Sequence, residues 1–163
     1  MENDFSLDQH SFDGQEWPNR YKVIKNFLKS GTSILELGSG YGKLQKYLGF
    51  EVPRYVKVDK FEFEDTIIAD LNSTEYPEFE ERFDYVICSG LLEYLFNPKY
   101  LLHKAKEYSD KAIISYYFSK NKLQYGMNHF TIGAFEKLLT ESGWKILDKK
   151  KTAGINQFVY LLN

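Results

Sequence analysis

Hydrophobic positions along the chain change period several times, and each change marks an element. Residues 1–16 follow neither the helical nor the strand period and read as a flexible arm. From Pro18 the period becomes helical: Tyr21, Ile24, Phe27 and Leu28 share one face, and Gly31 stops the helix. The apolar run 33–37 predicts a strand, followed by a glycine turn and a short helix with Leu44, Tyr47 and Leu48 facing inward. Further strands are expected over 55–58, 66–69, 85–88 and 112–117, with a half-turn over 91–96. Pro98 opens a helix to Tyr108 along Leu101, Leu102 and Ala105, and Thr131 caps another that Gly143 stops. Residues 144–150 and 157–162, separated by the turn-like Ala153-Gly154, predict a closing β-hairpin.

Strands alternating with helices imply a mostly parallel sheet in an α/β, Rossmann-like, doubly wound fold of seven strands. The terminal hairpin should supply an antiparallel edge strand. Only residues 60–65 separate the second and third strands, too few for a crossover helix, so that helix is expected to be reduced or missing. Either a loop or the arm then covers that face. The 163 residues suffice for one domain, placed at 17–163 behind the arm.

Composition narrows the function classes. A net charge of −2 provides no positive field for nucleic acid, and Lys149, Lys150 and Lys151 read as a solvated strand end. The single cysteine, Cys88, excludes an internal disulfide and a Cys-rich zinc site, and fits a reducing compartment. No apolar run reaches membrane-spanning length, and the acidic, polar start is unlike a secretory leader. A cytoplasmic protein is expected. Aromatic residues reach 17%, enough to build a core or line a pocket.

The chemistry-bearing residues fall at strand ends, where open parallel sheets bind ligands. Residues 34–44 read ILELGSGYGKL, placing Glu36 before Gly38, Gly40 and Gly42, with Ser39 and Tyr41 between them. Dinucleotide sites need G-x-G-x-x-G, and here Lys43 stands where the third glycine belongs. A phosphate loop is excluded because no Gly-Lys-Ser/Thr follows. Asp59 with Lys60 ends the second strand, Asp70 with Leu71 the third, and Ser89, Gly90 and Leu91 follow the fourth. Asp70 before Asn72-Ser73 equally suits the start of a turn.

The segment from Glu36 to Gly42 resembles the first motif of class I S-adenosylmethionine-dependent methyltransferases. The segment from Phe83 to Leu95 is similar to the family's fourth-strand motif, and Asn128-His129-Phe130-Thr131 with Ser142-Gly143-Trp144 to its sixth-helix segment. The likeness is greatest to small bacterial MetW-like and sugar- or lipopolysaccharide-cluster methyltransferases, and runs from about residue 17 to the end. It implies S-adenosylmethionine as cofactor. Glu36 would order the turn or meet the donor's amino group, and Gly38 and Gly40 would allow close approach. Asp59 would take the ribose hydroxyls, a carboxylate offering two acceptors and no donor. Asp70 and Leu71 would meet the adenine, while Ser89, Gly90 and Leu91 would line the floor near the methyl group.

Methyl transfer to a hydroxyl usually wants a base. His129, in the loop after the fifth strand, is the candidate, either as base or substrate ligand or as a histidine that bonds its own loop. His103 reads as a helix-surface residue and His10 lies in the arm. Tyr94 stands where relatives often carry a histidine. Tyr116, Tyr117 and Tyr125 flank the loop as an aromatic wall or as packing. Residues 118–127 hold no inserted lid, so the acceptor side should be open, suiting a bulky glycan or carrier-bound acceptor, a small molecule covered by the N-terminal arm, or a protein partner or second copy that completes the site. Two functions follow: O-methylation of a small metabolite or sugar-containing acceptor, or a methyltransferase-fold accessory protein acting through a partner enzyme.

Overall fold

The run Ile34–Leu37 is buried at every position, as a strand covered on both faces must be. It is β1 of a computed structural model that describes residues 17–163. The expected arm, residues 1–16, lies outside the described residues. Further strands are β2 (Tyr55–Asp59), β3 (Thr66–Ile68), β4 (Tyr85–Ser89), β5 (Ala112–Tyr117), β6 (Ile146–Lys151) and β7 (Gln157–Leu162). The helices are α1 (Pro18–Phe27), α2 (Lys43–Leu48), α3 (Pro98–Tyr108) and α4 (Ile132–Glu141), with a 3-10 turn over Leu92–Tyr94. One seven-stranded sheet runs β3-β2-β1-β4-β5-β7-β6, and only β7 opposes the common direction.

Alternation along each strand sorts side chains to two faces. Ile34, Tyr85, Ile87, Ile113 and Val159 meet Tyr21 and Ile24 of α1 and Leu44 and Leu48 of α2. Leu35, Leu37, Val86, Ile114 and Tyr160 meet Leu101 and Leu102 of α3 and Phe135 and Leu139 of α4. The caps behave as their residue types dictate: Asn97 Oδ1 accepts from Tyr100 N–H at 3.2 Å, and Thr131 Oγ1 from Ala134 N–H at 3.2 Å. Among the described residues no helix is long and apolar enough to cross a membrane.

The hairpin corrects one expectation. The antiparallel strand is not the edge: β7 lies inside, between β5 and β6, and β6 forms the rim. The physical reason is composition. Gln157–Leu162 carries apolar residues to both faces, whereas Ile146–Lys151 ends in three exposed lysines, and lysines guard an edge against further pairing.

Among the described residues nothing covers the other rim. Residues 60–65 hold no helix, as expected, and neither do residues 69–84. In place of the first crossover, the buried Lys57 lies along Gly42, and its Nζ donates to Glu64 O at 2.6 Å. Ile67 and Ile68 of β3 remain 40% and 60% exposed.

Candidate active site

The strand order reverses between β1 and β4, so the loops beyond their carboxyl ends diverge and leave a crevice. The glycine turn closes one wall. Gly38, Gly40 and Gly42 all take left-handed backbone, with φ of +73°, +50° and +66°. Only their lack of a Cβ makes three such residues at alternate positions inexpensive. Their surroundings differ. A Cβ on Gly38 would come within 2.8 Å of Leu91 Cδ1, and one on Gly42 within 3.2 Å of Lys57 Cδ, but one on Gly40 meets nothing within 4 Å. The space at Gly38 is therefore taken by Leu91. Of the three, and among the described residues, only Gly40 faces open room.

Asp59 locks this turn. Its Oδ2 accepts from Gly40 N–H at 2.8 Å and its Oδ1 from Phe61 N–H at 3.1 Å. Each oxygen keeps further acceptor capacity, so the carboxylate is held in place yet able to bind a diol. Lys60 is exposed beside it, its Nζ 4.9 Å from the Phe61 ring centre. Tyr41 and Phe63 pack as tilted rings, centres 4.5 Å apart, near the position of the missing crossover. Asp70 is exposed, and its Oδ1 accepts from Asn72 N–H at 2.9 Å, the turn-starting role that its sequence also suited. Leu71 is buried behind it, its carbonyl accepting the Tyr76 hydroxyl at 2.7 Å.

Glu36 lies on the α1 face of β1, 2% exposed, its Oε2 accepting the Tyr55 hydroxyl at 2.7 Å. Burial pushes its carboxyl up to about 7, against the downward pull of Tyr55, Arg20 and Lys57. The same burial pushes the Tyr55 hydroxyl up. On the other wall, Gly90 takes φ +68° and donates its N–H to Ser115 Oγ at 2.8 Å. A Cβ there would stand 2.5 Å from Arg20 Nη1, so the guanidinium lies directly on Gly90. Arg20 is 8% exposed and sits 4.9 Å from the Trp17 ring centre.

Two residues without an assigned role on sequence grounds complete the crevice, Arg20 and Glu93. Among the described residues, four buried side-chain polar atoms lack a hydrogen-bond partner: Arg20 Nε, Ser39 Oγ, Ser89 Oγ and Glu93 Oε2. They come from α1, the end of β1, the end of β4 and the turn after it. Burial pushes the Glu93 carboxyl up to about 7 as well. A signal for Arg20 was present: it stands four residues before Ile24 and three after Trp17, on the buried stripe of α1. A charge at a core position of an amphipathic helix marks a site.

His129 is not among these groups. It is exposed, and its Nε2–H donates to Ser119 O at 2.9 Å. Its neighbour Asn128 does more for the loop: Nδ2 donates to Leu92 O and Leu95 O at 2.7 and 2.9 Å, and Oδ1 accepts the Tyr116 hydroxyl at 2.7 Å.

The profile of a family described as a methyltransferase domain matches residues 13–149, and the chain belongs to that family. Solved structures share the fold. A SAM-dependent methyltransferase from Aquifex aeolicus superposes with a TM-score of 0.73 at 15% identity, covering 96% of this chain and 98% of that one. Burkholderia thailandensis 1,6-didemethyltoxoflavin-N1-methyltransferase, with bound 1,6-didemethyltoxoflavin and S-adenosylhomocysteine, gives 0.72 at 17% identity, covering 88% and 75%. A chain from the complex of the Haloferax volcanii Trm112 methyltransferase activator with a methyltransferase gives 0.74 at 11%, covering 94% and 91%. A search of curated proteins returns no match.

Proposed function

We propose that the protein is an S-adenosylmethionine-dependent methyltransferase that methylates oxygen in a small metabolite or sugar-containing acceptor, as MetW-like or sugar-cluster enzymes would. The observation that carries the reading is that four buried polar atoms, on α1, just beyond β1 and β4 and in the turn after β4, lack a partner among the described residues. An unpaired buried polar group costs roughly 1–3 kcal/mol, so the crevice favours a ligand that brings complementary charges. The methionine part of the donor brings a carboxylate, an ammonium and a sulfonium.

Arg20 Nε–H serves the carboxylate, and Ser39 and Ser89 serve the amino-acid part from the two strand ends. Asp59 takes the ribose diol, with Gly40 beneath and Tyr41 and Lys60 at the rim. Asp70 and Leu71 border the adenine. Glu36 stands behind the turn, while Gly38, Gly42, Gly90 and Leu91 shape the floor. His129 borders the acceptor. The donor supplies an activated methyl group, and the chain's contribution is positioning and exclusion of water. Calorimetric titration with S-adenosylmethionine tests the reading, and no binding at millimolar ligand removes it.

A second reading, action through a protein partner or second copy, is favoured by the β3 rim. An unguarded edge strand is a ready place for another strand to pair, and Ile67 and Ile68 are exposed there. Gel filtration with light scattering of the protein purified from its own cells checks it. A monomer that methylates alone at full rate would rule it out.

A further inference from the structure

Glu93 differs from the other buried carboxyl of the crevice in what holds it. Glu36 has the Tyr55 hydroxyl, whereas Glu93 has only backbone N–H groups: Oε1 accepts from Tyr117 at 2.8 Å, and Oε2 accepts from nothing. It is 3% exposed. Its position is fixed from two sides. The Met127 N–H donates to Glu93 O at 2.8 Å, and Asn128 grips the carbonyls of Leu92 and Leu95. The carboxyl is thereby held between the end of β4 and the loop 118–130, beside Ser89, Gly90 and Leu91.

The charged and titratable groups that face it are few. Arg20 faces it from α1, Tyr94 from its own turn and Tyr116 from β5, while the loop presents backbone. Arg20 favours the anion from a distance: among the described residues no ion pair joins the two. Burial outweighs that pull and holds the carboxyl at about 7, so near neutrality the free protein carries it as a mixture of acid and anion, and below that mainly as the acid.

We infer that Glu93 is the counter-charge for the cationic sulfonium of the methyl donor and the resting place of the proton that the acceptor gives up. This rests on the donor reading above. A positive charge within roughly 4–6 Å lowers a carboxyl's pKa by roughly 1 to 3, so Glu93 ionises when the donor arrives. In the transfer the acceptor oxygen bonds the methyl carbon, the carbon–sulfur bond leaves its electron pair on sulfur, and the hydroxyl proton passes to Glu93 Oε2. With sulfur neutral, Glu93 is again the acid that an apolar site prefers. Donor binding and methyl transfer thus drive one carboxyl through opposite halves of a proton cycle.

The test needs no acceptor. Calorimetry at about pH 6.5, in two buffers of different ionisation enthalpy, counts protons released on binding S-adenosylmethionine and S-adenosylhomocysteine. The ligands share their amino-acid and nucleoside ionisable groups, so the difference reports the sulfonium. Wild-type protein should release about half a proton or more with S-adenosylmethionine and close to none with S-adenosylhomocysteine. Glu93→Gln, which keeps an acceptor for Tyr117 N–H, should abolish that difference while still binding both ligands. Equal release with the two ligands in wild-type protein overturns the inference, whatever the variant does. A difference that persists in Glu93→Gln shows that the proton comes from another group and overturns it too. Failure of both ligands to bind is a separate outcome that removes the donor reading itself.

Discussion

Replacing Asp59 by alanine removes one carboxylate from two tasks at once. Its oxygens hold the Gly40 and Phe61 N–H groups at 2.8 and 3.1 Å, and in the proposed site they also receive two ribose hydroxyls. Hydrogen bonds to a charged group are worth roughly 1.5–3 kcal/mol each. Water replaces part of what is lost on this half-buried rim, so the ribose pair accounts for about 3–4 kcal/mol. That is a loss of affinity of roughly a hundredfold to a thousandfold. Freeing the turn costs roughly 1–3 kcal/mol of stability, a fall of several degrees in Tm for a domain of this size. Asp59→Asn should lie between: its amide oxygen satisfies one backbone donor, and its NH2 group opposes the other. The assay is titration of wild type and both variants with S-adenosylhomocysteine and its 2′-deoxy analogue, with circular dichroism to confirm folding. Wild type should penalise the analogue and Asp59→Ala should not. A folded Asp59→Ala protein that binds S-adenosylhomocysteine within about threefold of wild type would refute the assignment.

Glu36 and Glu93 together set the pH dependence of the ligand-free protein, and Glu36 can be read separately. Its folded value of about 7 lies above the ordinary 4.5 of a free glutamate, so the folded state holds a proton that the unfolded chain releases. Stability is full below about 4.5 and is lost as pH rises through about 7, by roughly 3 kcal/mol. Thermal melts should show Tm falling over that window, and Glu36→Gln should reduce the fall to about the part that Glu93 contributes. Gly38→Ala meets both a left-handed backbone and the Leu91 side chain, so it should lower stability by about 2 kcal/mol or more. Adding Leu91→Ala should return the steric part of that loss, and additivity in urea unfolding would show the contact to be irrelevant. Arg20→Ala should weaken both S-adenosylmethionine and S-adenosylhomocysteine by about tenfold to a hundredfold, whereas a loss confined to one ligand argues against the carboxylate role. His129→Ala should leave cofactor affinity unchanged, since its ring bonds Ser119 rather than the crevice.

Much of the fold was legible because period and punctuation are local properties. Pro98 and Tyr108 bounded α3, and Ala112–Tyr117 and Gln157–Leu162 were strands end to end. The short link 60–65 also foretold a sheet face without its crossover helix. The hairpin's placement was not legible in the same way. Its two strands were found, but their order depends on which one tolerates two covered faces, and that is settled only against the rest of the sheet. The irregular stretch 69–84 has no local signature for a similar reason: Tyr76 and Phe79 fill the missing helix's place by contacts with Tyr100 and Tyr108 that are distant in the chain.

The sequence by itself determined the glycine turn, the acids at the strand ends and membership of a methyltransferase pattern, because each depends on a few neighbouring residues with fixed spacing. Tertiary structure alone decided what those residues face. It gave the room at Gly38 to Leu91, left Gly40 open, engaged His129 with its own loop, and brought Arg20 and Glu93 from separate elements to one crevice. Such a meeting has no local signature, since burial and electrostatics act between groups that only the folded chain makes neighbours.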